Sequence, residues 1–459
     1  MEKRYEMDMC SGPVLKKILA FSLPLILSSM LQLLFNAADI VVVGRFAGPT
    51  ALAAVGSTGP LINLILNLFM GLSVGVSVAV ARHYGAREYE DVHDTVHTAM
   101  LMSLVSSLVC LILGVTLARP LLRLMGSPAD VIDQAATYVR IYFFGVPASL
   151  FYNFGSGILR AVGDTKRPLY YLSVAGVLNV ALNLVFVIKF RMGVAGVALA
   201  TVISQYLSAA LIGLCLIRSE SCCHLNPKEL AFHKDKAAAI VRVGVTAGLQ
   251  ASVFSLSNIV IQSAINSFGS INMAGSAAAA NIEGFIYVAV NSLAQAALSF
   301  TSQNMGAKRY DRIGKICGVT LLLVLLIGSF VGVSSVIFSK TLLGLYSTDP
   351  AVIAAGVIRL TIIGLTYPLC GIMDSLACMM RGMGKSLGPM IVTILGACGL
   401  RIVWIYLVLP LNPTFSMLFF SYPITWTITS LTHFVFYVFT RRSILRKAAA
   451  EGWVPPQED

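Results

Sequence analysis

The chain is 459 residues long, 57% hydrophobic and only 12% charged, with a mean hydropathy of +0.82. A soluble protein of this length carries about 25% charged residues, so a water-soluble enzyme or signalling domain is excluded. The formal charge of +12 is no nucleic-acid footprint, because the basic residues sit in short clusters between long apolar runs.

Those runs, each about 20 residues or more and so long enough to cross a bilayer, recur from end to end. They predict an all-α polytopic membrane protein with twelve transmembrane helices, at 14–44, 51–81, 93–118, 134–159, 168–188, 193–217, 238–268, 272–303, 313–338, 354–380, 389–409 and 414–440. The start, MEKRYEMDMCSGPVLKKILAFSLPL, has the charged flank and apolar run of a signal peptide, but the run is too long and no cleavage site precedes it. It is read as a retained first helix. Of the 33 Lys and Arg, 24 fall on the face that carries both termini and the even-numbered loops. The positive-inside rule therefore places both termini in the cytoplasm of a bacterial-type inner membrane.

Span 1 contains LLFNAADIVVVGRFAG, in which Asp39 lies roughly 9–13 Å below the outer face. A carboxylate at that depth is costly and marks a functional candidate. Span 2 ends in VAVARHYGAREYED, and span 8 ends in ALSFTSQNMGAKRYDR. Gly85, Ala86, Arg87 and Tyr89 recur as Gly306, Ala307, Lys308 and Tyr310, 221 residues later. The same offset carries Arg160, Gly163 and Pro168 onto Arg381, Gly384 and Pro389. The chain thus reads as two pseudo-symmetric six-helix bundles in the same orientation. They are an N-terminal lobe (1–217), a cytoplasmic linker loop (218–237), and a C-terminal lobe with a cytoplasmic tail (238–459). Parallel repeats of this kind pack about an axis along the membrane normal with a working cavity between them, an alternating-access layout.

These features together resemble the multidrug and toxic compound extrusion (MATE) family. They are the duplicated halves, Asp39–Ile40 with Gly44–Arg45 behind it, the paired G-A-[RK] loops, and the R-x-x-G loops after spans 4 and 10. The likeness covers about 14–440 and is closer to the DinF-like prokaryotic branch than to the NorM-like one. It implies an antiporter that expels small organic, cationic, amphipathic compounds in exchange for H⁺ or Na⁺. It implies no cofactor, and the chain is expected to work as a monomer among membrane lipids.

Asn179 and Asn183 lie on one helix face, at i and i+4. With Asp39 and Thr201 they occupy one depth layer and match the family's N-lobe cation-site positions. The family often has Asp where Asn183 stands. A lone carboxylate suits a proton carrier, since burial penalises its charged form, so H⁺ is favoured over Na⁺. Asn and Thr oxygens can still ligate Na⁺, and no other metal is expected. DIVV at 39–42 aligns with NIVI at 258–261, so Asn258 replaces Asp39 in the second repeat. The alternative reading of Asp39 is a structural cap.

The second lobe carries Glu283, Asp374 and Arg401. Depth counting places Glu283 and Arg401 at similar levels and predicts that they pair; a static brace and a role in substrate or ion binding both remain open. Pro24, Pro60, Pro147, Pro368 and Pro423 interrupt spans, and Pro24, sharing span 1 with Asp39, is the hinge candidate.

Other motifs fail their chemistry. GMGKS (382–386) resembles a phosphate loop but has Met379 where the pattern needs Gly. His93 and His97 are spaced like zinc ligands but lack a third, and are assigned to the wet end of span 3. Cys222–Cys223–His224 lacks the four ligands of a zinc site. The rival readings are a lipid-linked precursor flippase of related fold, which needs several mid-span cations where only Arg401 is evident, a channel or receptor, and a membrane enzyme.

Overall fold

The structure is a computed structural model that describes residues 5–124 and 131–454. Among them run twelve long helical segments: α1 (Val14–Phe46), α2 (Pro49–Ala86), α3 (Tyr89–Leu124), α4 (Ile132–Ala161), α5 (Lys166–Lys189), α6 (Gly193–Ile217), α7 (Lys234–Asn266), α8 (Ser270–Gly306), α9 (Tyr310–Ile337), α10 (Pro350–Gly382), α11 (Leu387–Leu411) and α12 (Phe415–Ala450). A short helix, Ser339–Gly344, lies between α9 and α10. Ten of the twelve are long and apolar enough to cross a membrane by themselves. The other two, α4 and α12, are more polar. α4 compensates by packing against protein: Ala135, Val139, Phe143, Leu150 and Phe154 form a fully buried stripe at helical spacing. The fold is that of an all-helical, multi-pass membrane protein.

The chain divides into two compact units, Met1–Asp8 with Leu23–Ser252 and Met9–Ser22 with Val253–Asp459. In the first, α4 packs on α2, α3 and α6; in the second, α10 packs on α8, α9 and α12. The corresponding helices of the two repeats thus make corresponding contacts. The backbone repeats too. Gly48 and Gly269 both have φ 90°, Arg87 and Lys308 have φ 61° and 55°, and Gly163 and Gly384 have φ 98° and 81°. Each pair is 221 residues apart, the offset of the sequence motifs. Left-handed φ costs a non-glycine residue about 1–2 kcal/mol, so Arg87 and Lys308 accept the same strain at the same turn in both repeats.

Within the first unit α2 and α7 approach backbone to backbone. A Cβ on Gly71 would stand 2.2 Å from the Gly248 nitrogen, and one on Gly75 would stand 2.2 Å from the Ile240 oxygen. Small residues allow this approach where lipid supplies no hydrophobic drive for helices to associate.

Two helices depart from plain α geometry. α5 ends in a π-helical turn, Val185–Lys189, and α11 contains two, Ile394–Gly399 and Trp404–Val408. These are the fifth helices of their respective repeats. α12 continues to Ala450, so most of the expected tail is helix, and the Trp453 indole donates to the Lys308 carbonyl at 2.8 Å. Lys3 and Arg4 and the side chain of Pro60 lie outside the described residues.

Candidate functional site

In the first unit α1 and α5 each bring one polar face to the same place. The i, i+4 spacing of Asn179 and Asn183 stacks their amides on one side of α5, and α6 adds Thr201 from its third turn. The Asn183 amide nitrogen donates to the Asp39 carboxylate and, at 3.2 Å, to the Asn179 carbonyl oxygen. Asn179 in turn donates to Thr201 Oγ1 at 3.4 Å, and Thr201 donates to the Val197 carbonyl at 3.0 Å. All four side chains expected at this layer therefore form one hydrogen-bonded chain. Asn183 is fully buried, and its own Oδ1 is an acceptor with no partner among the described residues.

Asp39 makes no ion pair among the described residues; the polar groups within its electrostatic reach include the phenols of Tyr138 and Tyr142 on α4. The oxygens present could ligate Na⁺, but two of them, Asn179 Oδ1 and Thr201 Oγ1, already accept amide protons. A sodium ion would need those amides to turn. A proton needs only Asp39.

Pro24 lies inside α1, and the division of that helix between the units falls between Ser22 and Leu23, just ahead of it. The carbonyl of Pro24 accepts from Ser28 Oγ at 2.8 Å.

The second unit corrects the expected pairing. Glu283 binds not Arg401 but Arg359, a residue the depth count overlooked because it sits near the start of its span. Arg359 Nε and Nη2 donate to the two carboxylate oxygens at 2.9 and 2.8 Å, and Nη1 donates to Ser276 at 2.7 Å. Both charges are buried. This is a bidentate pair with its third donor satisfied, which is what a buried ion pair needs to hold together. Arg401 is buried as well, but among rings: Tyr422 at 4.0 Å, Phe254 at 5.8 Å and Trp426 at 5.9 Å from its guanidinium carbon. Asp374 is half-buried on α10, and the charge acting on it is Arg381, two turns along the same helix.

With this geometry in hand, comparison with known proteins is decisive. The MatE family matches the chain twice, over residues 24–185 and 247–407. The chain belongs to the MATE family. Its two matches are the two repeats, and the family is one of transporters rather than enzymes. Among its curated relatives is the "Probable multidrug resistance protein YoeA" of Bacillus subtilis, 28% identical over 389 residues, covering 83% of this chain and 84% of that one. Another is the "FAD transporter" of Shewanella oneidensis, 25% identical over 351 residues, covering 75% and 76%. A solved structure described as the outward-facing conformation of a multidrug resistance MATE family transporter superposes with a TM-score of 0.89 at 23% identity, covering 95% of this chain and 98% of that one. That likeness shows the shared fold.

One cluster and one histidine of a ligand-like pair in this MATE chain are otherwise engaged. His83, Glu88 and Asp91 bring their ligand atoms within 4.8 Å of one another. The Lys236 ammonium already pairs with Asp91 and stands 3.4 Å from His83 Nε2. The cluster thus holds its own cation. His97 is not at a wet helix end, as its position in sequence implied: it is 1% exposed and accepts from the Asn226 N–H at 3.1 Å. Together with Thr98, which accepts from His233 N–H at 3.1 Å, it fastens the segment between α6 and α7 to α3. No sequence motif marks that role.

Proposed function

We propose that this MATE-family transporter is a multidrug efflux antiporter that expels organic cations and is driven by protons through Asp39. It sits in a bacterial-type inner membrane with both termini cytoplasmic. The observation that carries the reading is the chain Asp39–Asn183–Asn179–Thr201, which holds one carboxylate and no fixed cation. An ionised Asp39 accepts from the Asn183 amide. A protonated Asp39 is itself a donor, and the unpartnered Asn183 Oδ1 is the acceptor it would use once the amide turns. Protonation removes a charge whose burial costs free energy and also changes which atom of Asn183 faces α1. That gives the proton different affinity for the two arrangements, the requirement for any ligand that shifts an equilibrium. Pro24, about four turns before Asp39 on the same helix, is the point at which α1 would bend.

Cargo charge is read from the same carboxylate: a site that holds a proton or an organic cation in turn exchanges one for the other. In the second unit, Glu283, Arg359 and Asp374 complete the set of charges; the Glu283–Arg359 pair is taken as a brace. A flippase for lipid-linked precursors is the second reading. Arg359 adds a second buried cation to Arg401, but Glu283 neutralises it.

The test uses purified protein in liposomes and uptake of ethidium under an imposed pH gradient or an imposed sodium gradient. Transport driven by pH, insensitive to sodium and abolished in Asp39→Asn is the expected result. Transport by Asp39→Asn at the wild-type rate would sink the assignment and leave Asp39 a structural cap.

A further inference from the structure

Arg401 in the second unit has more hydrogen-bonding capacity than its surroundings use. It is 1% exposed, and its Nε and Nη2 are buried without any acceptor among the described residues. Trp426, one wall of the aromatic box around it, is also buried, and its indole N–H finds no acceptor among them either. No carboxylate compensates: Glu283 is taken by Arg359, and Arg401 forms no ion pair among the described residues. Cation–π contact with three rings offsets part of the desolvation. It does not satisfy the N–H groups, and a buried donor left unmade is costly, more so when charged.

The backbone is built around this arginine. Only Leu400–Val403 is α-helical there, and a π-helical stretch lies on each side. Such turns widen a helix, persist at a cost and are common at functional sites. The repeat comparison adds a third observation. Moving 221 residues on from Asn179, Asn183 and Thr201 gives Leu400, Trp404 and Tyr422, and the match of DIVV with NIVI sets Asn258 in place of Asp39. The second repeat therefore lacks the polar set and the carboxylate of the first, and its buried charge, Arg401, stands one residue beyond the counterpart of Asn179.

We propose that the second unit holds an oxyanion site in which Arg401, boxed by Phe254, Tyr422 and Trp426, takes the carboxylate or phosphate group of an organic ligand. The planar fork of the guanidinium matches two oxygens of either group, the Trp426 N–H is a further donor, and the rings receive an apolar or aromatic body. The inference goes beyond the cation reading of Asp39 and stands on different residues.

Direct binding tests it without transport. Fluorescence anisotropy of carboxyfluorescein is titrated with the purified full chain in detergent, for wild type, Arg401→Lys and Arg401→Met, each first checked for a single size-exclusion peak. The wild type should bind the dye, Arg401→Met should bind at least tenfold more weakly, and Arg401→Lys should fall between. Binding is read without transport, so the antiport reading can fail alone. Equal binding by wild type and Arg401→Met overturns the proposal. A second arm uses nanodiscs of phosphatidylglycerol or phosphatidylcholine. If the dye does not bind, but phosphatidylglycerol raises the unfolding temperature of wild type and not of Arg401→Met, the oxyanion site stands with a lipid headgroup as its source. Neither dye nor lipid responding to Arg401 overturns it.

Discussion

Glu283→Gln should destabilise the protein by about 3–5 kcal/mol, the usual penalty for removing one partner of a buried ion pair. The structure shows why the loss is large. Arg359 is 8% exposed, and two of its three guanidinium nitrogens depend on Glu283. Gln preserves the volume but offers a single accepting oxygen and no charge. What remains to Arg359 is Ser276 at 2.7 Å and the Phe419 ring at 5.4 Å. Removing both charges, in Glu283→Gln with Arg359→Met, should recover most of the loss, because a buried pair is close to neutral against apolar residues of similar size. The assay is a double-mutant cycle read by unfolding in detergent, with ethidium transport measured on the same preparations. A brace predicts that stability and transport fall together in the single mutant and recover together in the double. If Glu283→Gln unfolds like wild type yet no longer transports, the reasoning is refuted, and Glu283 belongs to the ion or substrate path.

Two further outcomes follow from the geometry. Asn183→Asp places a second carboxylate against Asp39, in hydrogen-bonding contact in the present structure. Two acids that close cannot both ionise without a cation, so ethidium efflux should become dependent on sodium, read as a rise in rate with external Na⁺ at fixed pH; no sodium response would remove the carboxylate-count argument for protons. Gly248→Ala should cost about 1–3 kcal/mol through overpacking, since its Cβ would stand 2.3 Å from the Leu68 carbonyl oxygen. A lowered unfolding temperature checks this, and an unchanged one would mean that α2 and α7 separate readily there.

How much of this was legible in the sequence depends on whether the residues carried angular as well as axial information. Run lengths and hydropathy placed the ends of the twelve helices to within about six residues, because a bilayer imposes a length, except that the last helix runs on to Ala450. The 221-residue offset revealed the repeat, and the turns at Gly163 and Gly384 or Arg87 and Lys308 adopt matching backbone angles. Asn179 and Asn183 were legible as a pair because i, i+4 spacing fixes which side of a helix they share, and the structure brings both to Asp39. Glu283 and Arg401 had only depth in common. Depth is one coordinate, and a helix can turn its charge in any direction at the same depth. Arg359 lay nearer the end of its span but on the correct side, so it won the carboxylate.

The same limit hid the surroundings of Arg401. Its aromatic walls come from two other helices, α12 and the far more distant α7, and the π-helical turns that reset the phase of α11 break the 3.6-residue count on which any face assignment rests. A phase shift of this kind matters most where a single side chain must be aimed, which is why it falls beside the one mid-helix arginine of α11. The comparable turn in α5 follows directly after Asn183. Both repeats thus interrupt the fifth helix next to its polar residue. At the 221-residue offset Val185–Lys189 falls on 406–410, which overlaps Trp404–Val408, so the interruption is shared while the polar residue beside it is an amide in one repeat and a guanidinium in the other. That argues that the broken fifth helix serves to aim a polar group in both.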